Sequence, residues 1–281
     1  MVKNISIAIL LLATIEAIAL CTIDLSDDTL VQAEEHKLVI TGSSTMAPLI
    51  AEIGKQFETR HPGIRVDIQT GGSSRGIADV INGVADIGMA SRALKSQEHQ
   101  LHGSVIAHDG ITIILHQSNP VQELTDDQIK AIYTGGITRW NQVGGPDAPI
   151  TVVNKAEGRS TLELFLDHFQ ISNRDIHAHV VIGDNEQGIK TVAGNPHAIG
   201  YVSIGTAQYD ATHGIPIRLL PLQHIPATIE TVREGTFPLS RPLTLVTKSL
   251  PTGLIKTFID FARSSQANDL ILKQYFVPLQ G

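Results

Sequence analysis

From Lys37 onward the chain alternates between two hydrophobic rhythms. Residues 37–41 form a short apolar run that predicts a strand, and Met46, Leu49, Ile50, Ile53 and Phe57 follow at helical spacing. Pro48 falls in the first turn of that helix, where a missing N–H is tolerated. Ile64, Val66 and Ile68 alternate as a strand does, Ile77, Val80, Ile81 and Val84 mark a second helix, and residues 86–90 predict another strand. Residues 111–115 are continuously apolar, as suits a strand buried on both faces. Thr125 stands as a helix cap before Asp126 and Asp127, two acids at the positive end of the helix dipole. Further strands are predicted over residues 150–153, 180–182, 198–202 and 243–246. Further helices are predicted over residues 185–192 and 253–262 and on the Leu162, Phe165, Leu166, Phe169 stripe.

Alternating strands and helices predict an α/β fold of mostly parallel sheets flanked by helices. The length of 281 residues suits two sheets rather than one. In such folds ligands sit at the carboxyl ends of the strands, so the strand-to-helix junctions are the places to search for chemistry.

The first 35 residues read differently. Lys3, an apolar stretch over residues 5–13 and Ala17-Ile18-Ala19 have the order of a secretory signal, expected over residues 1–19 and followed by a polar linker over 20–35. Glu16 interrupts the apolar run, which is too short for an ordinary membrane span. Val31-Gln32-Ala33 is a second, later cleavage candidate. Cys21 invites a lipid anchor, but Leu20 is a poor residue just before a lipidated cysteine, so a secreted periplasmic or extracellular protein is the expectation.

Composition narrows the function classes. Lys and Arg number 21 against 28 Asp and Glu, a net charge of −7, which argues against a nucleic-acid partner. Cys21 is the only cysteine, so neither an intrachain disulfide nor a cysteine-based zinc cluster can form. No cofactor is expected.

Three strand-to-helix junctions share one composition: Gly42-Ser43-Ser44-Thr45, Gly71-Gly72-Ser73-Ser74 and Gly158-Arg159-Ser160-Thr161. Glycine lets the backbone turn tightly, the first helical turn offers unpaired N–H groups with partial positive charge, and hydroxyls add donors. Aimed at one point, three such loops would enclose a tetrahedral oxyanion. Ser and Thr also serve as plain helix caps, and that reading competes at each loop taken singly. Arg92 and Arg159 lie near these loops in sequence and carry the fork that suits an oxyanion, although a surface ion pair is the plainer reading of either arginine alone.

The segments Gly42-Ser-Ser-Thr-Met-Ala-Pro48, Gly71-Gly-Ser-Ser-Arg-Gly76 and Ala85-Asp-Ile-Gly-Met-Ala-Ser-Arg92 resemble the periplasmic phosphate-binding proteins of ABC importers. Asp109-Gly-Ile111, Glu157-Gly-Arg-Ser-Thr161, Ala198-Ile-Gly-Tyr-Val-Ser203 and Pro238-Leu-Ser-Arg-Pro242 extend the resemblance, in order, over nearly all of the chain beyond the signal. It implies a type II periplasmic-binding-protein fold, with two lobes, a ligand cleft between them and two chain crossings. The crossings are expected near His116 and Ala207, giving a first lobe of residues 36–115 and 208–281 and a second of 116–207. It also implies inorganic phosphate as ligand and the membrane permease of an ABC importer as partner, for a protein acting as a monomer. By motif, the expected phosphate-binding residues are Ser44, Thr45, Ser73, Ser91, Arg92, Arg159, Ser160 and Thr161.

Two departures from the family pattern matter. Ser91 falls where some members have the Asp that accepts the phosphate proton, and Lys155 falls where the family has an arginine before the third loop. Asp109 and Glu157 are candidate substitutes for the acceptor, and Arg92 or Arg159 for the positive group. Sulfate or molybdate would use the same helix starts, so another oxyanion is an open alternative. Gly72-Ser73-Ser74-Arg75-Gly76 also fits the G-x-S-x-G elbow of hydrolases, with Ser74 as nucleophile, but too few strands precede it. His177 with His179 on a strand, and His99 with His102 on a helix, are pairs that could ligate a metal, without a placed carboxylate to complete either.

Overall fold

The computed structural model describes residues 36–279; the expected signal, linker and Cys21 lie outside the described residues. The first apolar run becomes β1 (His36–Gly42), and α1 (Ala47–Arg60) buries Leu49, Ile50, Ile53 and Phe57 at the predicted spacing. β2 (Ile64–Thr70), α2 (Ser73–Ile81) and β3 (Ile87–Ala90) follow. Next comes β4 (His102–His116), a strand three times as long as the predicted apolar run. Thr125 caps α3 (Asp126–Tyr133) as expected: its hydroxyl accepts from the Gln128 N–H at 3.2 Å, and the Gln128 side chain accepts from the Thr125 N–H at 2.9 Å.

The second half of the chain supplies β5 (Thr151–Lys155), α4 (Ser160–Phe169), β6 (Val180–Ile182), α5 (Asn185–Ala193), β7 (Ala198–Ser203), α6 (Ile204–Thr212) and β8 (Ile217–Leu219). It ends with α7 (Ile229–Arg233), β9 (Ser240–Thr247), α8 (Gly253–Ala262), α9 (Ser265–Lys273) and β10 (Val277–Pro278).

The strands run in the order β2-β1-β3-β9-β4-β7-β5-β6, with β8 and β10 also pairing β4. Pairing is parallel toward both ends, at β1–β2, β1–β3, β5–β6 and β5–β7. In the middle it is antiparallel, at β3–β9, β4–β9, β4–β7, β4–β8 and β4–β10. The sheet is therefore mixed rather than mostly parallel, because the connection between the halves is made by strands themselves and not by crossover helices.

Side-chain alternation covers both faces. On β1, Leu38 and Ile40 pack with Ile50 and Phe57 of α1, Phe258 of α8 and Ile271 of α9, while Val39 faces Ile77 and Val80 of α2. On β4, Ile111, Ile113 and Leu115 join Ile129 of α3 and Phe165 of α4, while Ile114 joins Ile189 of α5 and Ala207 of α6.

Along β4, Ile106 and Ala107 belong to the first core and Ile111 to the second. On the return, Phe237 and Leu239 belong to the second core, whereas Leu243 and Leu245 belong to the first. Core membership thus changes near Gly110 and again between Leu239 and Leu243. Ala207 is buried inside α6, in the core that also holds Ile114 of β4.

Candidate anion-binding site

The helices that open from the three Gly-Ser/Thr loops share a local feature. The residues at their cap positions are Met46, Gly72 and Arg159, and none makes a side-chain cap hydrogen bond. By contrast Thr125, Asp184, Ser203 and Thr228 do cap α3, α5, α6 and α7. The Ser43 hydroxyl accepts the Met46 N–H at 3.4 Å and the Ser74 N–H of α2 goes to the Gly158 carbonyl at 3.3 Å. The hydroxyls of Thr45, Ser73, Ser160 and Thr161 cap no helix start, which leaves other first-turn N–H groups for an anion.

One hydrogen-bond network joins the three loops. Arg241, on β9, sends Nη1 to Thr161 Oγ1 at 2.9 Å and to Ser91 Oγ at 3.3 Å, and Nη2 to Thr45 Oγ1 at 3.4 Å. Ser91 in turn donates its N–H to Ser73 Oγ at 3.1 Å. Asn185, the first residue of α5, donates to Thr45 Oγ1 at 3.1 Å. Thr45, Ser73 and Thr161, one from each loop, are thus tied to one buried arginine.

Asp109, on β4, takes Arg241 Nε at 3.1 Å and Nη2 at 2.8 Å on one carboxylate oxygen and the Gly205 N–H on the other. Both carboxylate oxygens are occupied by protein donors, so Asp109 orients Arg241 rather than standing free as a proton acceptor. Glu157 is exposed and accepts from Asn173, which turns it away from that role as well.

Lys155, at the end of β5, is 3% exposed, and its Nζ donates to Asn185 Oδ1 at 2.8 Å. Burial first, then the nearby charges of Arg241 and Arg159, push its pKa down to about 7 against the opposing pull of Asp184. Arg159 has a buried Nε without a partner, and Ser160 has a buried, unpartnered hydroxyl. These are donors and cations in excess of the acids facing them, which an anion would balance.

Ser44 is half-buried beside this network. Arg92, expected among the anion ligands, is spent elsewhere. Its Nη1 and Nη2 donate to the two oxygens of Glu98, each at 2.8 Å, and its Nε pairs with Glu163 at 3.0 Å. Burial works against the Arg92 charge, but Glu98 and Glu163 outweigh it and hold its pKa above the ordinary arginine value. Ser74, the nucleophile of the hydrolase alternative, donates its hydroxyl to Glu163 Oε1 at 2.9 Å, and among the described residues no histidine hydrogen-bonds to it.

The metal pairs lose their geometry. His99 follows a 3-10 turn (Ser96–Glu98) and His102 opens β4, so no helix face joins them. His177 and His179 precede β6, and His179 Nδ1 accepts from the Val152 N–H. Trp140 is fully buried in the second core, with Nε1 donating to the His197 carbonyl.

Sequence reasoning missed the part played by Arg241 and Asn185. Arg241 lay inside a quoted motif, but its partner Asp109 is 132 positions away. Asn185 begins a helix straight after β6, a fourth strand-to-helix junction that lacks the glycine-hydroxyl composition of the others.

The chain belongs to the PBP superfamily: the family model described as a PBP superfamily domain matches residues 28–266. Its relatives narrow the class. It is 33% identical, with a TM-score of 0.80, to a substrate-binding protein assigned to phosphate ABC transport from Clostridium perfringens, solved with bound phosphate. That match covers 87% of this chain and all of the other. An ABC-type phosphate transport receptor from Vibrio cholerae is 31% identical with a TM-score of 0.72, over 86% of this chain and 100% of that one. The phosphate-binding protein PstS of Borreliella burgdorferi is 27% identical over 261 residues, 89% of this chain and 92% of its own. The two-lobed fold expected from the sequence is the fold of these relatives.

Proposed function

We propose that this protein captures inorganic phosphate in the cleft between its lobes and delivers it, outside the cytoplasm, to the membrane permease of an ABC importer. The observation that carries the reading is the meeting of three Gly-Ser/Thr helix starts on one buried arginine network. The C. perfringens relative with bound phosphate supports the choice of anion.

In this reading Thr45, Ser73, Ser160 and Thr161 supply N–H and hydroxyl donors, Ser44 lies at the rim, and Arg159, Lys155 and Arg241 supply positive charge. Ser91 acts through Arg241. No covalent step is involved: the protein is a carrier, not an enzyme, and works as a monomer without nucleic acid. The lobes divide near Gly110 and between Leu239 and Leu243, where core membership changes, rather than near His116 and Ala207. Binding favours the closed form because only there do both lobes contact the anion.

The test is calorimetric titration of anion-stripped protein with phosphate, with sulfate and molybdate as competitors. One-to-one phosphate binding that excess sulfate does not displace supports the reading. Preferential binding of sulfate or molybdate keeps the architecture and changes the cargo, and no binding to any of the three overturns it.

A further inference from the structure

We infer that Glu163 is a positioning residue that latches the two lobes together around the anion without touching the anion itself. The inference rests on the proposed capture of phosphate in the cleft.

Glu163 is the fourth residue of α4, one turn below the Ser160-Thr161 loop, and its neighbours Leu162 and Phe165 anchor that helix in the second core. Its carboxylate points the other way, into the first lobe. Oε1 accepts from Ser74 Oγ at 2.9 Å, and Oε2 pairs with Arg92 Nε at 3.0 Å and with Lys95 Nζ at 2.8 Å. Ser74 belongs to α2, which packs on β1 and β3 through Ile77 and Val80. Among the described residues, the ion pairs that run from one lobe to the other, apart from the Arg241–Asp109 pair of the crossing strands, are those of Glu163.

The first-lobe side of the contact is built in advance. Glu98 holds the Arg92 guanidinium by two oxygens at 2.8 Å and also accepts the Lys95 N–H at 2.8 Å, while Arg92 Nη1 donates to the Ala93 carbonyl at 2.9 Å. Two cations, Arg92 and Lys95, then face one acid of their own lobe, Glu98. Glu163 supplies the second negative charge only when the lobes meet. A pre-oriented guanidinium loses little freedom on gaining that partner, which makes this contact worth more than a pair of mobile surface charges.

Closure is also read beside it, where the Ser74 N–H donates to the Gly158 carbonyl at 3.3 Å. The latch therefore closes on the same helix starts that face the anion. A site whose competent form is only partly populated binds more weakly by that fraction, so loosening the latch lowers affinity with every anion contact intact.

The experiment compares wild type, Glu163→Gln, Lys95→Gln and the double variant by phosphate calorimetry, stopped-flow dissociation and small-angle scattering without ligand. The glutamine keeps the size of the side chain and a partner for Ser74. The latch predicts a phosphate Kd about tenfold higher in Glu163→Gln, the scale of one lost charge-assisted contact, carried by faster dissociation. It also predicts a weaker salt dependence of Kd and a double variant no worse than Glu163→Gln alone. In ligand-free scattering the Glu163→Gln protein has the larger radius of gyration. Unchanged Kd and dissociation rate in Glu163→Gln overturn the latch. If wild type itself does not bind phosphate, the cargo reading falls and scattering alone decides: equal radii overturn the latch, and a larger radius in the variant supports it.

Discussion

The guanidinium of Arg241 and the carboxylate of Asp109 meet at 2.8 Å with side chains 0% and 1% exposed, each on one of the two paired strands along which core membership changes. The pair is hidden from water at the point where the three Gly-Ser/Thr loops converge on it. A buried charge left without its partner is costly, so the pair and the site stand or fall together.

Arg241→Met is accordingly expected to destabilise the protein by about 3–5 kcal/mol, since it strands the Asp109 carboxylate, and to weaken anion binding at least tenfold. Replacing Asp109 by Asn at the same time is expected to recover part of the stability but not the binding. Urea unfolding of the single and double variants, with calorimetry on each, checks both halves.

Lys155 predicts a pH dependence. Its folded-state pKa, lowered to about 7 from 10.5, means that the unfolded chain holds more protons between those values. The cost of burying the charge is fully present below about pH 7, and stability rises with pH from there to about 10.5, by at most about 1.4 kcal/mol per unit. Lys155→Met is expected to remove that rise in anion-free protein, read as the difference in unfolding free energy from wild type at pH 6.5, 8 and 9.5.

The same titration acts on affinity with the opposite sign. Above pH 7 the site loses a cation, so sulfate, whose charge is constant over this range, is expected to bind progressively less well in wild type. In Lys155→Arg, which stays charged, it is expected to bind with a flat profile between pH 6.5 and 9. Direct calorimetric titration of both anion-stripped proteins with sulfate across this pH range makes the measurement.

Gly72 marks how closely the second and third Gly-Ser/Thr loops approach. Its φ of 96° is a left-handed value, and a Cβ there would stand 2.5 Å from the Gly158 carbonyl oxygen. Gly72→Ala is expected to lower stability by about 1–2 kcal/mol through backbone strain. It is also expected to raise the phosphate Kd more than tenfold, because the clash is met only on closure. Thermal unfolding and dissociation kinetics separate the two effects.

Phe165 gives a prediction for the second core. Its ring stacks on Tyr201 with centroids 4.0 Å apart and lies 4.7 Å from Tyr133, and it is fully buried. Phe165→Ala is expected to cost about 3–5 kcal/mol, measured by denaturant unfolding.

What could be read from the sequence was what neighbouring residues spell together. The apolar stripes of α1 and α4, the cap at Thr125 and the three Gly-Ser/Thr loops are local patterns, and each appears where its spacing predicts. The first half of β4 was missed because His102, Gly103, His108, Asp109 and Gly110 break the apolar pattern, and a register shift between Val105 and Ala107 interrupts the alternation. Helix α6 was missed because Gly205, Thr206 and Thr212 are weak helix formers and only Ile204, Gly205 and Ala207 are buried. Arg92 and Arg159 looked alike in sequence. What separates them is Glu163, brought to Arg92 by the meeting of α4 with the chain after β3, as it is brought to Ser74 across 89 positions. Only three-dimensional proximity assigns one arginine to a latch and leaves the other facing the loops.

The exchange of core membership along β4 and β9 also sets an order of assembly. Apart from Val277, the second core draws on residues between Ile111 and Leu239, so it can condense while the ribosome is still adding the tail. The first core needs Leu243, Leu245, Phe258 and Ile271 to cover Leu38, Ile40 and Ile87. The segment synthesised first is therefore completed last, and until β9 pairs with it, β3 presents an open edge to any other strand it meets.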